Sequence, residues 1–109
     1  MELAFANKSL RQLCESEANA KRDLGIRIAL KLKRRLADLR AATCVKDLIV
    51  GLPQELQSAH RRHIAVALGD GVQVVLCANH NTLPVLESGG VDWGRVSRIK
   101  ILRIETEHG

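Results

Sequence analysis

No run of apolar residues in this 109-residue chain approaches the roughly 18 that a membrane-spanning helix requires, so no part of it is expected to cross a bilayer. The opening MELAFANKSL lacks the basic region, apolar stretch and small-residue cleavage site of a secretory signal, which predicts an unexported, cytoplasmic protein. Cysteine is sparse. Cys14, Cys44 and Cys77 are far apart, odd in number and without CxxC spacing, against both a disulfide framework and a zinc knuckle. They read as reduced, mostly buried thiols; a nucleophilic role needs a nearby base or helix start to lower the pKa. Aromatics are almost missing: Phe5 and Trp93 stand alone and there is no tyrosine. Internal repeats and low-complexity segments are also missing.

What is present is enough for a folded domain. Hydrophobic residues make up 46% against 27% charged, which excludes a disordered tail, and 109 residues bury a core without a covalent staple. A single domain over 1–109 is expected. The formal charge is +5, but it is unevenly placed. Residues 21–40 hold Lys21, Arg22, Arg27, Lys31, Lys33, Arg34, Arg35 and Arg40 against only Asp23 and Asp38. Such a stretch either attracts phosphate chains or an acidic protein surface, or is an ordinary solvated helix face.

Leu3 to Phe5 predicts a short strand, and Asn7 or Ser9 caps a helix with Leu10, Leu13 and Cys14 on one side. A second helix then runs to about Ala41, with Leu24, Ile28, Leu32, Leu36 and Leu39 three and four apart and Gly25 as a bend. Thr43 starts one more turn reaching Leu48. Beyond Gly51 and Pro53 the period changes to two. Ile64, Val66 and Leu68, the turn Gly69-Asp70-Gly71 and Val72 to Ala78 predict a hairpin. Pro84 to Leu86 extends a third strand, Asp92 starts a helical turn, and Arg98 to Ile104 closes the sheet. The fold class is α+β, a two-helix hairpin packed on an antiparallel sheet whose other face is open to a ligand.

Two stretches carry candidate chemistry. His60-Arg61-Arg62-His63, at the entrance to the hairpin, supplies bidentate phosphate donors and imidazoles that move protons near neutral pH. His60 and His63 are three apart but lack a partner pair with ligand spacing, so the metal-free reading is preferred and no cofactor is expected. His108, beside Glu105 and Glu107, is either a fraying tail residue or an imidazole tuned by carboxylates.

Taken in order, these segments resemble the RelE/ParE superfamily of bacterial toxins, most closely its HigB or plasmid-maintenance killer branch. The resemblance rests on the opening strand and helix around Phe5 to Leu13, on Lys31-Leu32-Lys33-Arg34-Arg35-Leu36-Ala37-Asp38-Leu39, on Ala41-Ala42-Thr43 and Lys46-Asp47-Leu48, and on the hairpin and last strand ending in Glu107-His108. It implies the toxin of a type II toxin–antitoxin system, an mRNA endoribonuclease that cuts in the ribosomal decoding site without metal. Its implied partners are a HigA-like helix-turn-helix antitoxin, in a hetero-oligomer, together with mRNA and the ribosome. His60, Arg62 and His108 fall on the catalytic positions. Arg61, Gln73 and Arg103 would grip RNA, and Lys31, Lys33, Arg34 and Arg35 would face ribosomal RNA or the antitoxin. The chain departs from the pattern at Gln73, where relatives carry Arg, in lacking a C-terminal Tyr, and in the insertion holding Trp93. Arg103 is the candidate to replace the missing charge. Two alternatives remain: a ParE-like gyrase inhibitor, which needs none of the three catalytic residues, and a non-catalytic basic module that binds nucleic acid or protein.

Overall fold

A computed structural model describes residues 1–47, 54–55 and 63–106. Strand β1 (Glu2–Phe5) leads into α1 (Lys8–Glu15), whose start is capped by the Asn7 side chain, Oδ1 accepting the Leu10 N–H at 2.8 Å. Ser16 serves two helices. Its N–H donates to Gln12 O at the end of α1, and its Oγ accepts the Asn19 N–H at the start of α2 (Glu17–Leu24). The two-helix expectation is therefore corrected to three, because Gly25 breaks the long helix rather than bending it. At φ 84° and ψ 160° it ends α2 and begins α3 (Ile26–Ala41), in a region that is essentially restricted to glycine. A Cβ at this position meets nothing within 4 Å, so the penalty of a side chain lies in the backbone alone. Gly25→Ala is expected to lower stability by about 2 kcal/mol, read as an earlier urea midpoint with an unchanged slope.

The segment after α3 makes a 3-10 turn at Val45–Asp47, its Val45 N–H bonded to Val96 O at 3.1 Å; the expected end of that turn, Leu48, lies outside the described residues. Strands β2 (Gln54–Glu55), β3 (His63–Gly69), β4 (Val72–Ala78) and β5 (Arg98–Thr106) complete a sheet of order β1-β5-β4-β3-β2. The expected hairpin is formed. Gly69, Asp70 and Gly71 all take positive φ, which explains the glycines on either side of the turn. Two details differ from expectation. β1 runs parallel to β5, across three helices and three strands of intervening chain, and among the described residues Pro84 to Leu86 contributes only an isolated bridge from Val85 to Val91. Asp92 does start a 3-10 turn at Trp93–Arg95, its carboxylate accepting the Gly94 N–H at 3.2 Å.

The core lies between the helices and one face of the sheet. Ile28, Leu32, Leu36 and Leu39 of α3 meet Ile64, Val66 and Leu68 of β3, Val74 and Leu76 of β4, and Ile99 and Ile101 of β5. Trp93 is half-buried against the same cluster. Among the described residues no helix is long and apolar enough to cross a membrane.

Candidate functional site

Alternation along the strands assigns the opposite, helix-free face. With Ile64, Val66 and Leu68 in the core, His63, Ala65 and Ala67 of β3 point the other way, as do Gln73, Val75 and Cys77 of β4. On β5 the alternation changes phase. Leu76 pairs with Ile101 but Val75 pairs with Arg103, so Leu102 is an extra, bulged residue. That one-residue shift keeps Ile104 in the core and turns Arg103 and Glu105 onto the same face as Arg98 and Lys100. Three cross-strand rows result: His63–Cys77–Lys100, Ala65–Val75–Arg103 and Ala67–Gln73–Glu105. Ala65 and Val75 are buried, forming an apolar centre between two polar rows.

Glu105 organises the lower row. Its Oε1 accepts from Gln73 Nε2 at 3.2 Å and its Oε2 from Arg103 Nε at 2.8 Å. The Arg103 hydrogen bond holds the Glu105 carboxyl below its ordinary range, with Gln73 adding to the effect and partial desolvation opposing it. Arg103→Met is therefore expected to raise the Glu105 pKa, and Gln73→Ala to raise it less, as side-chain carboxyl NMR titration will read. At the other end Arg98 pairs with Glu2 at 3.0 Å, beside a polar cleft of about 260 Å³ lined by Ala4, Asn79 and Asn81. His80 fixes this end, its Nε2 accepting the Ser97 N–H at 3.0 Å and the Arg98 N–H at 3.3 Å. Arg98, Lys100 and Arg103 thus form a cationic row on the open face; among the described residues Lys100 has no acidic partner within salt-bridge distance.

The expected site residues fall into separate groups. Gln73 and Arg103 are brought together on the open face. Lys31, Lys33, Arg34 and Arg35 are on α3, behind the sheet, and the structure does not bring them to Gln73 and Arg103. Lys33 pairs with Glu17 at 3.8 Å; Arg35 is only 13% exposed, bonded to Ala67 O at 3.3 Å and Asp38 at 3.4 Å, and so anchors α3 to the hairpin. Arg34 is exposed next to the outward-facing Ile26 and Leu30. His60, Arg61, Arg62 and His108 lie outside the described residues. The strands they adjoin are at opposite ends of β4, His63 pairing with Cys77 and Thr106 with Val72. Arg98 and Lys100 escape the sequence reading, although alternation against Ile99 and Ile101 marks them, and Glu105 reads there only as a carboxylate beside His108. Among the described residues no three His, Cys, Asp or Glu side chains gather as metal ligands.

Comparison with known proteins supports the fold directly. No protein-family model and no curated protein matches the sequence. Among solved structures, the chain is similar to a YoeB/ParE toxin from Agrobacterium tumefaciens, with a TM-score of 0.61 at 9% identity over 97% of this chain and 98% of that one. The two chains share one α+β fold along nearly their whole lengths.

Proposed function

We propose that this protein is the toxin of a type II toxin–antitoxin system and that the open sheet face binds and cuts mRNA on the ribosome. The cationic row Arg98, Lys100 and Arg103, beside Gln73 on a toxin-like fold, carries the proposal. Phosphates on such a face meet charge-assisted donors. Arg61 adds a further phosphate contact. In the reaction, one of His60 and His108 takes the proton of a ribose 2′-OH, whose oxygen attacks the adjacent phosphorus. Arg62 neutralises the charge that develops, and the other histidine protonates the departing 5′ oxygen. No metal is required for these steps. On α3, the outward Ile26 and Leu30 with Lys33 and Arg34 suit a HigA-like antitoxin better than ribosomal RNA, because the two exposed aliphatic side chains favour a protein surface.

The test is induced expression with growth and mRNA 5′ ends followed in parallel. Arrest with new cuts, both lost in a His60→Ala, Arg62→Ala, His108→Ala variant at unchanged protein level, is the expected result. Arrest that persists without cuts supports a ParE-like gyrase target instead, and binding without arrest supports a non-catalytic module.

A further inference from the structure

One side of α3 is packed into the core and another is left in solvent. Ile28, Leu32, Leu36 and Leu39 are buried, whereas Ile26, Leu30, Lys33, Ala37 and Arg40 are exposed, Ile26 by 65%. Those exposed positions follow one another at steps of four and three, the spacing of residues that face a second helix across a seam. The seam borders a cleft of about 380 Å³ where α3 meets α1 and α2, and Lys33 and Arg40 belong to both. Ala20, Ala29 and Leu32 form the buried apolar floor of the cleft. Glu15 and Glu17 stand on its rim but are already paired, Glu15 with Arg11 and Glu17 with Lys21 and Lys33. Among the described residues Arg34 and Arg40 have no acidic partner within salt-bridge distance, so the charge left over along this side of α3 is positive.

We propose that this groove docks an amphipathic helix of a partner protein, apolar at the spacing of the seam and acidic on its flanks. Its apolar side chains cover Ile26 and Leu30, one of them enters the cleft onto Ala20 and Ala29, and its carboxylates meet Lys33, Arg34 and Arg40. Two alanines in the floor leave room for one large side chain from outside, the arrangement in which a single anchor contributes most of the affinity. Shape and charge together select this occupant. A phosphate chain leaves Ile26, Leu30 and the apolar floor uncovered, and a flat lipid surface does not reach into the cleft. That the helix belongs to the antitoxin rests on the function proposed above; the shape and charge of the groove do not.

Selection from a displayed peptide library tests the docking. The peptides match residues 26–40 in length, are apolar at the seam positions, and vary elsewhere among Ala, Gln, Asp, Glu, Lys and Arg. The wild-type protein is expected to retain sequences that are rich in Asp and Glu and that gain helical circular dichroism on binding. Synthetic copies are expected to bind an Ile26→Asp, Leu30→Asp variant about 30-fold more weakly and an Arg34→Glu, Arg40→Glu variant about 10-fold more weakly. All four side chains are exposed, so both variants are expected to unfold at the wild-type temperature. A photoreactive anchor residue is expected to crosslink to the stretches of α2 and α3 that hold Ala20 and Ala29. Retained sequences that are neutral or basic, equal binding to the wild type and both variants, or no retained sequence overturns the inference. Displacement of the peptide by single-stranded RNA or by anionic lipid vesicles also overturns it, assigning the groove to nucleic acid or membrane. A protein that arrests growth and cuts mRNA yet retains no acidic helix loses the groove alone. One that retains such helices without arresting growth keeps the groove and loses only the antitoxin as its partner.

Discussion

A Lys100→Ala, Arg103→Ala double variant is expected to bind single-stranded RNA about 100-fold more weakly than the wild type. Each side chain is placed to supply a charge-assisted bond to phosphate, a contact that contributes about 1.5 kcal/mol or more, so losing two corresponds to about 3 kcal/mol. The same loss has a second signature. Each phosphate neutralised on a single strand contributes about 0.7 to the slope of log affinity against log salt, so the slope should shrink by about 1.4. Both residues are on β5 with their side chains on the open face, and Arg103 is partly exposed, so the change leaves the core intact. Lys21→Ala, Arg22→Ala on α2 removes the same amount of charge behind the sheet and should change neither quantity much. Filter binding over a salt series separates a local row of contacts from general attraction to a basic protein.

Leu39→Ala is expected to lower stability by about 3 to 4 kcal/mol. Leu39 is fully buried where the last turn of α3 meets the sheet, and removing its isobutyl group leaves a cavity in addition to the lost transfer energy. For a domain of this size the change is expected to reduce Tm by about 15 °C or more. Leu30→Ala, one helix face away and 44% exposed, should change stability by no more than about 0.5 kcal/mol. Thermal unfolding of the two variants therefore checks which face of α3 is buried, and with it the assignment of Ile26, Leu30 and Arg34 to the outside.

Much of this architecture was legible because local chemistry and tertiary contacts agree. Asn7 caps α1, the Leu and Ile positions of α3 repeat at three and four, and Gly69-Asp70-Gly71 can turn only as a hairpin with its positive φ values. Where they competed, local reading went wrong. Periodicity that continues through Gly25 predicts a bend there, but its ψ of 160° reverses the chain and creates a third helix. Val85 alternates like a strand residue, yet among the described residues its pairing is a single bridge within the 79–97 excursion. The parallel direction of β1 comes from pairing across nearly the whole chain, which no local window contains.

The candidate site was legible in part. Gln73 and Arg103 share a hydrogen-bonded cluster, although the residue that joins them, Glu105, reads in the sequence as a tail carboxylate beside His108. Lys100 lacked any motif. Its place on the open face depends on strict alternation before Leu102, and Arg103 joins it only because the bulge shifts the strand by one. Arg35 illustrates the reverse error of counting charge: it belongs to the basic run, but its guanidinium is spent on Ala67 O and Asp38 and is largely covered.

Crosslinking of photoreactive mRNA to the protein on translating ribosomes, with the attached peptides identified by mass, tests the central claim most directly. Crosslinks confined to the strands that present His63 to Ala67, Gln73 to Cys77 and Arg98 to Glu105 are the result that an RNA-binding open face requires. Crosslinks found only on α3, or none from a protein that still arrests growth, would contradict it.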